Sequence, residues 1–422
     1  MTAEHIRFRG TVQGVGFRPT VARLARAHGL AGWVRNDSEG VLVLADGSAR
    51  DRSAFLSALL ADLPPLARVE AVERTPHAAG PDAPGFRIVP SADGQAATAV
   101  APDAVTCPAC VEEIRDPFAR RYRYPFTNCT HCGPRLSIVQ AIPYDRAATT
   151  MAGFDLCPDC AAEFADPEDR RFHAQPIACG RCGPRAELVR ADGAPVSFAT
   201  YSMLDDVDAA RTLLQRGEIV AVKGLGGYQL CCDATNPDAV RTLRERKRRP
   251  DKPLALLAAD LDVIRRYCAV GPAEEAALRS PAGPIVLLDA TGPERVADAV
   301  APGQGTLGFM LPSTPLHHLL LHRIGRPMVC TSGNRVDEPQ VTDDDDAIAR
   351  LGDIAPWVLR HDRPIARRVD DSVVRHMGSE VRVLRRARGY APAPLQLHPG
   401  FAEAPPLTAL GGDRKATFCL LG

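Results

Sequence analysis

The chain has 422 residues with 51 basic and 51 acidic side chains, too long for one hydrophobic core, so roughly two to four domains are expected. A formal net charge of zero excludes any argument for a nucleic-acid partner from overall charge and leaves that case to a local basic patch. No run of about 18 apolar residues occurs, and the polar start, Met1 to Gly10, is no export signal; with cysteines paired at metal spacing, this places the protein in a reducing cytoplasm.

His5 to Val12 reads as a strand, Gln13 to Arg18 as a glycine-bearing loop, and Pro19 as the start of a helix running to about His28. Backbone N–H groups converging at such a loop, the positive end of the helix dipole and the planar fork of Arg18 together make an anion site. Trp33 to Asp37 and Val41 to Asp46 are expected as strands joined at Ser38 to Gly40, followed by a helix over Asp51 to Leu63 and strands near Val69 to Thr75 and Phe86 to Val89. The result is a small α+β sandwich. Residues 1–91 resemble an acylphosphatase, with the loop matched by Val12 to Arg18 and a strand motif by Gly32 to Asn36. That resemblance implies a ferredoxin-like fold in which Arg18 binds the phosphate and Asn36 positions the attacking water. An acyl phosphate is already activated, so orientation and charge stabilisation suffice for its hydrolysis.

Ala92 to Ala101 reads as a linker. Four Cys-x-x-Cys pairs then occupy residues 103–190, with eighteen residues inside each outer gap and twenty-four in the middle. A two-residue spacer lets both sulfurs of a pair reach one zinc, so eight thiolates supply two tetrahedral sites. The sequential grouping is Cys107, Cys110, Cys129 and Cys132 for the first ion and Cys157, Cys160, Cys179 and Cys182 for the second; a pair exchanged between the repeats is the other arrangement. Repeated Cys-Gly-Pro-Arg endings, Cys132 to Arg135 and Cys182 to Arg185, mark a duplication. Four thiolates close the shell, so the expected role is structural. Cys231, Cys232, Cys268, Cys330 and Cys419 have no metal spacing and read as small buried residues.

Residues 200–388 begin with a helix after Asp205 and the apolar strand Ile219 to Val222, followed by Lys223-Gly224-Leu225-Gly226-Gly227-Tyr228. Glycines after a strand suggest backbone approaching a ligand, in neither the Walker nor the dinucleotide pattern. The helix from Pro237 ends in a basic run, Arg244 to Arg249, with Lys252 beyond it, which would be either a solvated face or a polyanion site. Pro284 to Leu288 reads as a buried strand, and Met328 to Asn334 as a strand leading into a turn whose Thr331, Ser332 and Asn334 suit phosphate or ribose. Asp370 and Asp371 would face a nucleotide's magnesium or pair with neighbouring arginines. His317, His318 and His322 lie on an expected helix without a carboxylate or cysteine at ligand spacing, which argues against a metal there. In this order the motifs resemble the YrdC-type domain, a twisted α/β fold that activates a carbamate with ATP. The matching positions are Lys223, Lys247, Arg249, Lys252, Thr331, Ser332 and Asn334. Gly333, where threonylcarbamoyl-AMP synthases commonly carry alanine, puts threonine recognition in doubt.

Residues 389–422 read as a linker and two strand-like runs around Gly411-Gly412-Asp413, the start of a further, truncated domain. The whole order of modules resembles the HypF-type carbamoyltransferases of nickel-iron hydrogenase maturation. The resemblance implies two zinc ions, carbamoyl phosphate and ATP with magnesium as substrates, a carbamoyl-adenylate, and transfer to the C-terminal cysteine of a HypE-type partner maturation protein. The alternatives are an O-carbamoyltransferase acting on a small molecule, a zinc-dependent nucleic-acid-binding protein using the basic run, and a non-catalytic scaffold.

Overall fold

A computed structural model describes residues 3–92, 99–196, 204–395, 399–401, 404–410 and 418–421. Most of the expected linker after Ala92 and the turn at Gly411 to Asp413 lie outside the described residues.

The amino-terminal domain is a five-stranded sheet carrying two helices. Its elements are β1 (Ala3–Thr11), α1 (Phe17–Ala27), β2 (Ala31–Asp37), β3 (Gly40–Asp46), α2 (Ala49–Ala61), β4 (Arg68–His77) and β5 (Phe86–Ile88), with strand order β4-β1-β3-β2-β5. Alternation along β1 and β2 sends Ile6, Phe8 and Val34 into a core shared with Val21, Ala22 and Ala25 of α1 and Phe55 and Leu59 of α2. Ser48 caps α2 by accepting from the Asp51 amide at 3.1 Å.

The cysteine module is built from two copies of one unit, each opening on a short helix, α3 (Pro108–Arg115) and α4 (Pro158–Ala165). Cys107 and Cys157 are the N-caps and proline follows each, so both first thiols sit where the helix dipole favours thiolate. The copies are offset by fifty positions, and equivalent residues reach across to each other. Arg121 Nε donates to the Ala178 carbonyl at 2.8 Å and Arg171 Nε to the Asn128 carbonyl at 3.0 Å. Arg123 and His173 share the same left-handed backbone, each with φ 56°. The duplication read in the sequence is therefore a reciprocal embrace.

The third body is a ten-stranded mixed sheet. In chain order it contains β6 (Ala186–Arg190), α5 (Asp206–Gln215), β7 (Val220–Lys223), β8 (Tyr228–Asp233), α6 (Pro237–Lys247), β9 (Leu256–Leu257), α7 (Leu261–Arg265), α8 (Pro272–Leu278), β10 (Ile285–Asp289), β11 (Thr306–Met310), α9 (Pro315–Leu320), β12 (Met328–Ser332), α10 (Asp344–Leu351), β13 (Trp357–His361), β14 (Val373–Met377) and β15 (Glu380–Arg385). The strand order is β15-β14-β10-β11-β9-β12-β8-β7-β13-β6. β7 and β8 are buried at every position, as central strands covered on both faces must be. Ala186–Arg190, within the stretch read as the cysteine module, pairs antiparallel with β13 and forms the sheet's edge. A hairpin of β16 (Leu407–Leu410) and β17 (Phe418–Leu421) follows. Among the described residues no helix is long and apolar enough to cross a membrane.

His317 on α9 is buried, its Nε2 3.0 Å from Gln229 Oε1 and its Nδ1 3.3 Å from Ser313 Oγ. Both ring nitrogens are thus occupied by amide and hydroxyl, and His322 lies beyond the end of the helix. Burial, helped by Arg388, lowers the His317 pKa to about 4. As pH falls below about 6.5 the unfolded chain takes up this proton and the folded one does not, so stability present at neutral pH is lost on the way to pH 4. The difference amounts to about 3 kcal/mol for that one group. Urea midpoints should fall between pH 7 and pH 5, and His317→Gln should flatten that slope; an unchanged slope would show that the imidazole titrates alike in the folded and unfolded chain.

Candidate functional site

The loop before α1 puts Gly14 at φ 72° and Gly16, the N-cap, at φ 79°, backbone that favours glycine. A methyl group on Gly14 would lie 3.1 Å from the Tyr144 ring, and one on Gly16 3.2 Å from Thr130. The loop thus forms a cradle at a helix N-terminus with the cysteine module packed over its mouth. Its lining includes Arg18, Thr130, Arg135, Tyr144, His173 and Gln175. Arg18 is 7% exposed and its guanidinium meets Asp145 at 2.9 Å. His173 is held neutral by burial and by Arg18, with its pKa lowered to about 4. Asn36, at the end of β2, is fully buried, and neither its amide oxygen nor its amide nitrogen has a protein partner.

Asp145 occupies the fork that an anionic ligand would take. Asp145→Asn is expected to lower KM for an acyl phosphate by about two- to fivefold, the worth of one part-exposed ion pair. Steady-state kinetics would show it; a raised KM would instead make Asp145 a support for Arg18.

The eight cysteines of the module fall into the two sequential sets, and within each set all four sulfurs lie within 4.8 Å of one another. Sulfur separations are 3.7 Å for Cys107–Cys129, 3.7 Å for Cys129–Cys132, 3.6 Å for Cys110–Cys132, 3.7 Å for Cys157–Cys179 and 3.8 Å for Cys179–Cys182. A tetrahedron with zinc–sulfur bonds of about 2.3 Å has edges of about 3.8 Å, so both sets fit one zinc each. Cationic donors come from the opposite repeat. Arg120 and Arg121 donate to Cys160 at 3.3 and 3.5 Å, and Arg170 donates to Cys110 at 2.9 Å. Glu163 binds Arg121, and Glu113 binds Arg170 and Arg171.

In the large sheet a cavity of about 760 Å³ is lined by Lys247, Arg249, Lys252, Ser332, Asn334, Arg368 and Asp370, among others. A neighbouring cavity of about 260 Å³ adds Thr331, Asp371 and Arg385 while sharing Arg249, Lys252 and Ser332. Six of the seven residues expected at a nucleotide site therefore meet around two adjoining spaces. The seventh, Lys223, does not line them. Its ammonium is buried against Asp344 at 2.5 Å and the His361 carbonyl at 2.7 Å.

Several roles differ from the sequence reading. The basic run is split: Arg246, Arg248 and Lys252 are exposed, whereas Arg244, Lys247 and the half-buried Arg249 turn towards backbone carbonyls. Arg244 binds the carbonyls of Arg249 and Val300 at 2.7 and 3.1 Å, Arg249 that of Pro253 at 2.7 Å, and Lys247 that of Ser332 at 2.6 Å as well as Asn334's. Asn334 donates to the carbonyls of Arg335 and Glu338 at 2.7 and 2.9 Å, so its amide shapes the loop. Gly226 is required by the Val369 backbone, whose carbonyl would lie 2.3 Å from an added methyl. The glycine loop thus admits protein, not ligand, at that position. Asp371 pairs with Arg388 at 2.9 Å. Sequence reasoning missed Arg135, Tyr144, Asp145 and Arg368; the one available signal was the Cys-Gly-Pro-Arg repeat, whose first arginine is 1% exposed while Arg185 lies at the surface.

Fold and site define a multidomain protein in which an acylphosphatase fold and a YrdC-like α/β domain are joined by a duplicated four-cysteine finger. Family models match accordingly: acylphosphatase over residues 4–88, the HypF finger over 106–139 and 156–189, and the "telomere recombination" family of Sua5, YciO and YrdC over 212–387. The chain is 55% identical over 421 residues to carbamoyltransferase HypF of Rhodobacter capsulatus, covering 100% of this chain and 55% of that protein. It is 44% identical over 87 residues to an acylphosphatase of Rhodospirillum rubrum, covering 20% of this chain and 93% of the relative. A crystal structure of full-length HypF in a phosphate- and nucleotide-bound form superposes with a TM-score of 0.89 at 42% identity, covering 93% of this chain and 51% of that one. The chain belongs to the HypF family. It spans about half the length of the curated relatives it matches.

Proposed function

We propose that the chain performs the first two steps of a carbamoyl transfer in hydrogenase maturation. In the cradle, Arg18 holds the phosphoryl oxygens of carbamoyl phosphate and Asn36 orients water; hydrolysis yields phosphate and carbamate. In the sheet cavities the carbamate oxygen attacks the α-phosphorus of ATP, forming carbamoyl-adenylate as pyrophosphate leaves. Lys252, Arg249 and Arg368 neutralise the departing charge, Thr331 and Ser332 hold oxygens, and Asp370 would hold a magnesium ion that screens the phosphates. The two zinc ions fix the geometry of the module that closes the cradle. Transfer to the C-terminal cysteine of a HypE-type partner belongs to the part of the family's length that this chain does not span. A reducing cytoplasm suits eight thiolates.

One observation carries this reading: a buried arginine at a helix N-terminus and a buried, unpartnered asparagine at the end of β2 share one chain with a cationic cavity of about 760 Å³. The relative crystallised in a phosphate- and nucleotide-bound form supports both halves of it. The test supplies carbamoyl phosphate and ATP and follows phosphate and pyrophosphate. Wild type is expected to release pyrophosphate only when carbamoyl phosphate is present, Arg18→Ala to lose both products, and Lys252→Ala to lose pyrophosphate alone. Absence of carbamoyl-phosphate-dependent pyrophosphate release in wild type overturns the proposal.

A further inference from the structure

Equivalent positions in the two finger repeats have taken different partners. Arg123 and His173 share φ 56° and donate their amides to the Ile114 and Phe164 carbonyls at 2.9 and 3.0 Å. Arg123 turns to α5, where its fork meets both oxygens of Asp205, the N-cap, at 2.7 and 2.9 Å. His173 turns to the cradle. Its ring packs against those of Phe164 and Phe172, with centroids 4.9 and 4.6 Å away, so its orientation is fixed by aromatic contacts.

The other polar side chains around the cradle are committed. All five N–H groups of Arg135 go to backbone carbonyls, those of Gly14, Cys129, Thr130, Cys132 and Pro134. Gln175 accepts from the Arg146 amide and donates to the His173 carbonyl, each at 2.8 Å. The Thr130 and Tyr144 hydroxyls donate to the carbonyls of Arg170 and Pro134 at 3.2 and 3.4 Å, and Arg18 holds Asp145. Among the described residues lining the cradle, the His173 ring alone has polar atoms and no hydrogen bond.

Burial and Arg18 keep that ring neutral, with its pKa lowered to about 4. A neutral imidazole carries one N–H donor and one bare nitrogen that accepts. The anion site itself is made of donors, the Arg18 guanidinium and the N–H groups where the loop enters α1. A ligand anchored there by its phosphate turns its acyl end to the cysteine module, where the imidazole nitrogen is an unused acceptor.

We propose, resting on the function given above, that His173 is a specificity-determining residue of the cradle: its bare nitrogen accepts an N–H of the carbamoyl amino group and so selects carbamoyl phosphate among acyl phosphates. Acetyl phosphate places a methyl group where the amino group would be, with nearly the same shape and no hydrogen to give. The imidazole nitrogen then stays unsatisfied. Such selection does not come with the acylphosphatase fold, because the Rhodospirillum rubrum relative aligns over 87 residues and 93% of its length, which leaves no room for the finger. One repeat thus braces the large sheet while its copy reads the acyl group.

The test compares kcat/KM for carbamoyl phosphate and acetyl phosphate in the full chain. Structural damage lowers both, whereas a lost recognition contact lowers their ratio. His173→Met, of similar reach and without the nitrogen, should lower the carbamoyl-to-acetyl ratio about tenfold, through carbamoyl phosphate alone. Asparagine sets an amide oxygen near the place of Nδ1 and glutamine near that of Nε2, so one of His173→Asn and His173→Gln should hold the ratio within about threefold of wild type. An unchanged ratio in His173→Met overturns the proposal, as does failure of both amide variants to restore it. Should His173→Met not fold, His173→Gly, at ease in left-handed backbone, is judged by the same ratio. A wild type that cleaves neither substrate ends the function and the site together; one that cleaves both, with a ratio indifferent to position 173, ends the site alone.

Discussion

Arg18→Ala is expected to slow acyl-phosphate hydrolysis by about two to three orders of magnitude, and Asn36→Ala by about two. The two losses have different structural companions. Arg18 gives up an ion pair with Asp145, which is one-third exposed, so stability should change by about 1 kcal/mol or less. Asn36 is the sharper case, because its whole amide is buried with no protein partner. Leaving such a group unsatisfied costs about 1–3 kcal/mol, so alanine at position 36 should raise the melting temperature while it removes activity. That opposition is the mark of a residue kept for chemistry at the expense of the fold. Phosphate release and thermal melts on the same preparations check both. A destabilised Asn36→Ala would mean that the amide serves the sheet, and an active one would remove Asn36 from the mechanism.

Much of this architecture is local and was legible for that reason. The β1–loop–α1 cradle is written in twenty-five consecutive residues, Ala3 to Ala27, alternation located the strands of the small sheet, and Cys-x-x-Cys spacing located both metal sets, because each of these signals is short in sequence. What closes the cradle is not local. Asp145 lies more than a hundred residues from Arg18, and nothing around Tyr144 or Asp145 announces that they will face a glycine loop. The basic run stayed ambiguous for a related reason. Charge in a sequence does not say whether a side chain meets water or a ring of carbonyls, and Lys247 meets carbonyls.

Removing one metal should weaken the other. In a Cys107→Ser/Cys110→Ser protein the second set keeps all four thiols, and independent fingers would leave its zinc affinity unchanged. The cross-repeat contacts argue otherwise. Cys160 receives its cationic donors from Arg120 and Arg121, which lie on the first repeat's loop between its two cysteine pairs. That loop is closed by the first metal. Without it Arg121, 1% exposed and paired with Glu163, loses its fixed position, and loss of such an outer partner typically costs about 10- to 100-fold in metal affinity. Competition with a chelator should therefore find the remaining zinc bound about 10- to 100-fold more weakly than either zinc in wild type. Arg121→Ala should weaken the second site in the same way while leaving every thiol in place. Because metal binding and folding are one event in such small units, far-ultraviolet dichroism should report partial unfolding at chelator concentrations that wild type tolerates. Unaltered affinity in both variants would make the two fingers separate staples and reduce the reciprocal arginines to packing.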